Sequence, residues 1–357
     1  MQIGLVGLPG CGKTTLFNAL VRANAVTGGY AGQNAANRGT IRVPDHRVNR
    51  LSSLFNPRKT TFATVEYLDI GGITSGSGRQ EEQQGAGGLA DLRMMDVLVH
   101  VLRGFPDLAG TPVTPGEDFE SVELELAIAD LEIIERRLAR LSKEARSTKQ
   151  PDLVREWKLL EQCKEEIEGG GVIRNLEFAP EDEKRLRGYR FLSQKPVLLV
   201  LNVSEEDMGS ETRVLSELGD CAEGLDALAL CAKVEMEIAQ LDEADTAAFL
   251  DELGIEESAL SRMISASYRL LNLISFFTVG EDEVKAWTVT QGVTAPDAAG
   301  EIHSDLKRGF IRAETVECQT ILELGGWQAA KENGVLRVEG KQYVVMDGDV
   351  INVRFSV

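Results

Sequence analysis

The chain of 357 residues is 43% hydrophobic and 27% charged, which is typical of a soluble globular protein and is long enough for two or three domains. Its formal net charge of −19 argues against non-specific nucleic-acid binding by the whole surface, and we expect no binding of free DNA. No apolar run reaches the length of a membrane span, and five scattered cysteines without a CxxC pair argue against a zinc site.

The first predicted elements are a short strand, MQIGLVG, and a helix, KTTLFNALVRA, on either side of a glycine-rich loop. Residues 7–14 satisfy G-x-x-x-x-G-K-[ST] in the strand–loop–helix context that the motif requires, which predicts a phosphate-binding loop. We expect Lys13 to bridge the terminal phosphates of a nucleotide and Thr14 to offer its hydroxyl to Mg²⁺. Cys11 is interpreted as a closely packed residue and not as a redox switch. The predicted nucleotide-binding residues of this loop are Pro9, Gly10, Cys11, Gly12, Lys13, Thr14 and Thr15.

The next predicted strand, TFATVEYLDI, carries Asp69 near its end and leads into an Asp-x-x-Gly motif that closes at Gly72. Asp69 is predicted to hold the metal together with Thr14, and the Gly72 amide to touch the γ-phosphate. Ile73 follows directly, where many GTPases keep a Gln or His that orients the attacking water, so no catalytic residue is assigned. Three glutamines further along a predicted flexible loop offer an alternative, but such residues are more often solvated: Gln80, Gln83 and Gln84.

Further buried strands are predicted in MMDVLVHVLRGF, PVLLVLNV and GLDALALCA, which indicates a parallel sheet covered by helices on both faces. Between them, residues 121–195 contain two amphipathic stretches with apolar residues three and four apart. This spacing predicts an antiparallel coiled-coil hairpin whose second helix ends at the glycines 169–171. Two helices packed on a globular core remain an alternative. The predicted seam residues are Leu124, Ile128, Leu131, Ile134 or Glu135, Leu138, Leu141, Leu153, Trp157, Leu160 and Ile167.

The last 80 or so residues predict a small α+β domain of β-grasp type, because short strands and one helix-like stretch alternate with glycine-containing turns. The predicted strands include RAETVEC, VLRVEG, YVVMDG and DVINVRFSV. The whole chain is therefore predicted as an α/β protein with a parallel-rich P-loop sheet, an inserted helical hairpin and a C-terminal β-grasp domain. The predicted segments are 1–120 and 196–275 for the nucleotide-binding domain, 121–195 for the hairpin and 276–357 for the β-grasp domain.

The stretch LNVSEED stands where a GTPase carries Asn-Lys-x-Asp, whose Asp accepts two hydrogen bonds from guanine. Here Asn202 is kept, Val203 replaces the Lys, and Glu205 places the carboxylate one methylene further out. The longer side chain of Glu no longer fits the two guanine donors in a bidentate manner. The site therefore loses the strong preference for guanine over adenine that such a polar contact can impose. We therefore predict ATP over GTP, with a promiscuous purine site as the alternative.

Taken together, these stretches resemble the YchF subfamily of Obg-related P-loop proteins, the Obg-like ATPases. The resemblance rests on GLPGCGKTTLFNAL, VPDHRV, DIGGI, ELAIADLEIIERRL, LNVSEED, LCAKVEMEIAQL and the run from FFTVGEDEVKAWTV to the end of the chain. It implies a cytoplasmic, ribosome-associated ATPase with a nucleotide domain, a coiled coil and a TGS domain of β-grasp type, which uses ATP/ADP and Mg²⁺. It also implies a hydrophobic residue in the place of Ile73, and base contacts from Asn202, Val203, Glu205, Cys231, Ala232 and Lys233.

The chain departs from the family at Gln33, where the first switch normally ends in a Thr; Thr27 and Thr40 are out of register. We therefore expect nucleotide binding to survive and hydrolysis to be slow. The leading hypothesis is a weak ATPase that uses its ATP and ADP states to control docking of the coiled coil and the TGS domain on the ribosome, with a monomer favoured. The alternatives are a nucleotide-gated binding module without turnover and a GTPase; a P-loop kinase is disfavoured, because only Arg79 lies near the second switch.

Overall fold

The computed structural model of the chain divides it into two compact units. The first unit comprises Met1–Thr40 and Glu66–Leu260, and the second comprises Ile41–Val65 and Ser261–Val357. The sequence predicts residues 41–65 as part of the nucleotide-binding domain, whereas the structure groups them with the C-terminal unit. The structure describes residues 1–23, 37–70, 82–106, 110–145, 151–241, 243–252 and 257–356.

The described strands and helices alternate along most of the chain. The strands are β1 (Gln2–Val6), β2 (Asn37–Arg42), β3 (Lys59–Thr61), β4 (Thr64–Asp69), β5 (Val97–Gly104), β6 (Val197–Val203), β7 (Asp226–Leu230), β8 (Leu273–Val279), β9 (Glu283–Thr290), β10 (Phe310–Glu317), β11 (Arg337–Glu339) and β12 (Asp349–Phe355). The helices are α1 (Lys13–Ala23), α2 (His46–Phe55), α3 (Glu82–Met94), α4 (Pro115–Ala145), α5 (Pro151–Glu168), α6 (Pro180–Leu186), α7 (Glu211–Ser216), α8 (Ala232–Ile238), α9 (Glu243–Glu252), α10 (Ala259–Leu270), α11 (Ala295–Ile302), α12 (Ser304–Arg308), α13 (Cys318–Leu324) and α14 (Trp327–Glu332).

The sheet of the first unit has the strand order β2-β4-β1-β5-β6-β7. The pairs β1–β4, β1–β5, β5–β6 and β6–β7 are all parallel. Strand β6 is buried along its whole length, as expected for a parallel strand covered on both faces. The predicted α/β architecture with a parallel-rich sheet is confirmed. Since the strands are parallel, the loops that follow β1, β4, β6 and β7 all leave from one edge of the sheet.

Helices α4 and α5 form an antiparallel pair with an apolar core of its own, which includes Ile134, Leu138, Leu160 and Cys163. The second helix ends at the predicted glycines, where Gly170 adopts a φ of 85°. The hairpin form itself stays a prediction, because the first turns of α4 pack into the core of the sheet.

The prediction that Leu124 and Ile128 of α4 lie in the buried seam was wrong. Leu124 is 60% exposed and Ile128 is 43% exposed. The buried stripe instead runs through Val122, Leu126 and Asp130, the last with no exposed surface. A buried carboxylate does not contribute to a hydrophobic pattern, so the apolar spacing predicted the wrong buried face for this part of the helix.

The predicted flexible loop after the Asp-x-x-Gly motif is in part helical. Helix α3 starts at Glu82, so Gln83 and Gln84 belong to a helix and not to a loop. Good helix formers such as Glu82, Ala86 and Leu89 outweigh the glycines among them. Within the described parts of the chain, no helix is both long and apolar enough to cross a membrane.

The second unit contains a sheet with the strand order β11-β10-β12-β8-β9-β3. Strands β8–β9 and β10–β12 pair antiparallel, and β3 joins β9 in parallel. Helix α11 packs on the sheet through Ala295, Ala298 and Ala299. The strand predicted in YVVMDG is absent there: residues 343–348 contain one isolated bridge, Thr294 to Val344, and a turn at residues 347–348.

Candidate nucleotide-binding site

The glycine-rich loop between β1 and α1 has a backbone that only glycine adopts without strain. Gly12 has a φ of 97°, and a Cβ there would lie 2.1 Å from Nδ2 of Asn202. Gly7 has a φ of 147°, and a Cβ there would lie 2.3 Å from the carbonyl oxygen of Val101. The loop therefore lies tightly against its surroundings, with the N-terminus of α1 behind it, in the arrangement that receives phosphate groups.

Lys13 is held inside this loop, with only 6% of its surface exposed. Its Nζ donates hydrogen bonds to the carbonyl oxygens of Gly7, at 3.0 Å, and Leu8, at 2.7 Å. These contacts fix the ammonium group against the loop that the sequence predicts to bind phosphate. The positive charge is thus positioned before any ligand arrives, which reduces the ordering cost of binding.

Thr14 and Asp69 meet at the same edge of the sheet. The Thr14 hydroxyl donates to Oδ2 of Asp69 at 3.0 Å, and Asp69 is only 7% exposed. Within the described residues, the buried Oδ1 of Asp69 has no hydrogen-bond partner. An unsatisfied buried carboxylate oxygen beside a hydroxyl fits Mg²⁺, which prefers hard oxygen ligands and takes one or two carboxylates plus phosphates.

The side chain of Asn202 ties the phosphate-binding loop to the start of α8. Its Nδ2 donates to the carbonyl oxygen of Cys11 at 2.9 Å, and its Oδ1 accepts from the backbone N–H of Ala232, also at 2.9 Å. Asn202 is 5% exposed. The structure therefore brings three predicted nucleotide-binding residues together. These two bonds use one of the two N–H groups of the Asn202 amide.

Glu205 and Lys233 form an ion pair on the surface beside Asn202. Lys233 Nζ lies 2.5 Å from Oε1 of Glu205, and about half of the Glu205 side chain is exposed. The hydrogen bond to Glu205 raises the pKa of Lys233. The carboxylate that would read a guanine is therefore engaged by an ammonium group from the first turn of α8.

Two other residues predicted to contact the nucleotide are buried. Val203 is 4% exposed within the core of the sheet, so its side chain is not presented to a base. Cys231, the residue immediately before α8, is 5% exposed. Only the backbone of these two residues remains as a candidate contact.

Burial raises the pKa of the Cys11 thiol, and the positive charge of Lys13 opposes that shift. Cys11 is 1% exposed. A protonated, enclosed thiol is a packing residue, which agrees with its interpretation from the sequence.

His100 was not among the predicted site residues; it lies in β5 opposite Val6, the last residue of β1. Burial, followed by the charges of Arg174 and Lys13, lowers its pKa to about 3. His100 is therefore neutral at physiological pH and cannot act as a cationic group toward phosphate. A lone histidine within the apolar run VLVHVL was the signal that could have marked it.

Several predicted residues lie outside the described residues, and their roles stay predictions. They are Gly72, Ile73, Gln80 and Arg79 of the second switch, and Thr27 and Gln33 of the first.

The fold and this site define a P-loop nucleotide-binding protein with the GTPase type of domain. The family model YchF-GTPase_C, described as a protein of unknown function, matches residues 273–356, and a model described as a 50S ribosome-binding GTPase matches residues 2–155. A Bacillus subtilis protein named Ribosome-binding ATPase YchF is 44% identical over 368 residues, with 100% of each chain covered. The chain belongs to the YchF family.

Other relatives agree with this assignment. A protein of the same name from Escherichia coli O157:H7 is 39% identical over 366 residues, which cover 100% of this chain and 99% of that one. The solved structure of the Schizosaccharomyces pombe YchF GTPase matches with a TM-score of 0.87 at 27% identity, covering 99% of this chain and 97% of that chain. The similarity thus extends over both compact units.

Proposed function

We propose that this chain is a cytoplasmic, ribosome-associated ATPase that binds ATP in preference to GTP and hydrolyses it slowly. The ribosome and the ATPase activity are supported by the names of the relatives from Bacillus subtilis and Escherichia coli. The preference for ATP is supported by one observation in particular. The carboxylate at the guanine-reading position belongs to a Glu, and Lys233 holds it.

The described residues include the charged and polar groups that would bind a triphosphate. Lys13 brings an ammonium group to the loop, and the N-terminus of α1 faces the same place. Mg²⁺ held by Thr14 and Asp69 would neutralise charge on the phosphate oxygens. Asn202 holds the loop and the start of α8 together, so that the phosphate site and the base site stay at a fixed distance from each other.

We expect slow hydrolysis because the residues at the two switch positions are unsuited to orient the attacking water or to hold Mg²⁺. Ile73 has no polar group to orient water, and Gln33 stands where a switch Thr would close on Mg²⁺. The one buried histidine near Lys13 is neutral and is enclosed in β5. Orienting the water and neutralising charge are each worth orders of magnitude in rate, so we propose that the ribosome supplies what the free protein lacks.

A nucleotide-gated binding module without turnover is the second candidate, and the same two residues, Gln33 and Ile73, favour it. A GTPase is the third, favoured by the description of the model that matches residues 2–155. Both candidates predict nucleotide binding at the same loop. They differ from the first proposal only in which base is preferred and in whether the nucleotide is hydrolysed.

Calorimetric titration of the purified chain with ATP, ADP and GTP in Mg²⁺ tests the proposal. We expect ATP to bind at least tenfold more tightly than GTP. Lys13→Ala should abolish binding while circular dichroism stays unchanged, and Lys158→Ala, an exposed position on α5, is the matched control. Tighter binding of GTP than ATP would replace this proposal by a GTPase.

A further inference from the structure

A pocket opens between α4, the segment that follows α5 and the segment that precedes β7. Its volume is about 580 Å³, which is in the size range of small-molecule sites. The described residues that line it all belong to the first unit, and none of them is among the residues assigned to the nucleotide. The pocket is therefore a second candidate ligand site within this unit.

Apolar side chains form one part of the pocket wall. They come from α4, from α5 and from the two segments: Phe119, Leu124, Ile167, Val172 and Leu225. Leu124, which is exposed on α4 and does not lie in the predicted seam, is thus part of this wall. Such a wall fits the apolar body of a small molecule, because removal of apolar surface from water is favourable.

A buried ion pair forms the polar part of the wall. Nη2 of Arg174 donates to Oε2 of Glu123, and Nε of Arg174 donates to the carbonyl oxygen of Ser193 at 3.3 Å. Glu123 is 7% exposed, and the side chain of Arg174 is 11% exposed. Burial raises the pKa of Glu123 and lowers the pKa of Arg174. Both groups are therefore kept in this wall against a desolvation cost.

Each member of the ion pair also keeps one buried atom without a partner. Among the described residues, Oε1 of Glu123 and Nη1 of Arg174 make no hydrogen bond. Buried polar atoms in proteins are nearly always paired, and leaving one unpaired is costly. This acceptor and this donor belong to two side chains in direct contact. The ligand groups that would meet them must therefore lie close to each other.

The charges of the wall select the ligand groups. Hydrogen bonds between charged groups are roughly twice as strong as those between neutral groups, so an ammonium suits Glu123 and a carboxylate suits Arg174. An α-amino acid carries both groups, separated by one carbon. Two exposed carboxylates on the same wall, Glu120 and Glu223, disfavour a ligand with net negative charge, such as a nucleotide or an acidic amino acid.

We propose that this pocket binds a free α-amino acid with an apolar side chain. The ammonium group of the ligand donates to Oε1 of Glu123, and its carboxylate accepts from Nη1 of Arg174. Its side chain packs against the apolar wall that includes Phe119 and Leu124. The inference does not depend on the proposed function, because the described residues of the pocket and of the nucleotide site are different.

Calorimetric titration of the purified full chain with L-leucine and two analogues tests the ligand class. The analogue 3-methylbutylamine lacks the carboxylate, and 4-methylpentanoate lacks the ammonium group. We expect L-leucine to bind with a Kd below about 1 mM. Each analogue should bind at least roughly tenfold more weakly, because each loses one hydrogen bond between charged groups. Glycine and L-aspartate should bind more weakly than L-leucine by a similar factor, since glycine has no apolar side chain and L-aspartate has a net negative charge.

Glu123→Gln removes the negative charge that would face the ammonium group. We expect this variant to bind L-leucine roughly tenfold more weakly, with no loss of affinity for 4-methylpentanoate, which has no ammonium group. Glu132→Gln is the matched control, because Glu132 is an exposed carboxylate on the same helix and outside the pocket. The control should bind L-leucine like the unaltered chain.

Leu124→Ala tests the apolar wall and keeps the proposal testable if Glu123→Gln does not fold, because Leu124 is 60% exposed. It should weaken L-leucine binding roughly threefold or more. Val154→Ala, at a position on α5 that is 46% exposed and lies outside the pocket, is its control. An ATP affinity that stays the same in every variant verifies that the first unit is folded.

Three results would overturn the proposal. One is the absence of binding by L-leucine and by L-phenylalanine to the unaltered chain. Another is binding of 3-methylbutylamine as tightly as L-leucine, which would indicate a site for amines. The third is an L-leucine affinity that is retained in both Glu123→Gln and Leu124→Ala, which would place the bound amino acid outside this pocket.

Discussion

The side-chain amide of Asn202 donates to the backbone carbonyl of Cys11 at a distance of 2.9 Å, although the two residues are 191 positions apart in the sequence. The same amide accepts a hydrogen bond from Ala232. The glycine-rich loop and the start of α8 are thus fixed to each other through one buried side chain.

Asn202→Ala should weaken ATP binding roughly 10- to 100-fold. The substitution leaves the Cys11 carbonyl and the Ala232 N–H unpaired in a buried place, at a cost of about 1–3 kcal/mol for each group. Calorimetric titration with ATP measures the effect. Asn49→Ala, at an exposed position on α2, is the control, and an unchanged ATP affinity in Asn202→Ala would show that the two loops are held in place by other contacts.

Asp69→Asn should weaken ATP binding about tenfold in Mg²⁺ and leave it nearly unchanged in EDTA. The reason is that the unpaired Oδ1 of Asp69 is the hard oxygen best placed for a cation, and an amide is a weaker ligand. Titrations in the two buffers give the comparison. Asp96→Asn is the matched control, because Asp96 accepts from the backbone of Gln2 at the start of β1. Equal losses in Mg²⁺ and in EDTA would indicate damage to the loop and not loss of a metal ligand.

Glu205→Asp combined with Lys233→Ala should move the preference from ATP toward GTP. The shorter carboxylate reaches the guanine donors again, and removal of Lys233 frees it; a charged bidentate contact is worth about 1–3 kcal/mol. The observable is the ratio of the ATP and GTP dissociation constants. Replacing Val203 by Lys, as the guanine motif would suggest, is unsuitable because Val203 is buried in the core.

The neighbouring substitution Glu206→Asp is the control for this change, since Glu206 is also exposed and acidic. A ratio that stays the same in the double variant would locate base recognition elsewhere, for which the backbone of residues 231–233 is the remaining candidate.

His100→Leu should reduce the dependence of stability on pH. The pKa of His100 is about 3 in the folded chain and 6.5 ordinarily, so below about pH 6.5 the unfolded chain binds a proton that the folded chain does not. Stability is therefore lost as the pH falls from about 6.5 toward 3. Between pH 7.5 and 5.5 this amounts to about 1.4 kcal/mol.

Urea denaturation at these two pH values, followed by circular dichroism, measures the difference. His46→Gln, at an exposed position, should behave like the unaltered chain. The same pH dependence in His100→Leu as in the unaltered chain would mean that His100 already titrates normally in the folded protein.

Features that depend on local pattern could be predicted from the sequence. The phosphate-binding loop, the apolar strand before Asn202 and the glycines after α5 each carry their signal within about ten residues. The structure places Lys13, Thr14, Asp69 and Asn202 at one edge of the parallel sheet, as the order of strands and loops had indicated.

Features that depend on distant partners could not be predicted. Arg47 Nη1 lies 2.7 Å from Oδ2 of Asp347, and its guanidinium lies 5.0 Å from the ring centre of Phe277. These contacts join two parts of the second unit that are more than 200 residues apart in the sequence, and no local pattern marks them. The exposed position of Leu124 was missed for a related reason, since the buried face of α4 contains a carboxylate, Asp130, whose donors lie more than 60 residues away.

In the proposed function, this chain is an ATPase whose turnover depends on the ribosome. Single-turnover hydrolysis of ATP and of GTP, with and without purified ribosomes, tests it most directly. We predict a rate far below 1 s⁻¹ for ATP in the free protein, under the usual range of phosphoryl-transfer enzymes, and a rise of at least tenfold when ribosomes are added. Fast hydrolysis without ribosomes, or faster hydrolysis of GTP than of ATP in either condition, would contradict the account.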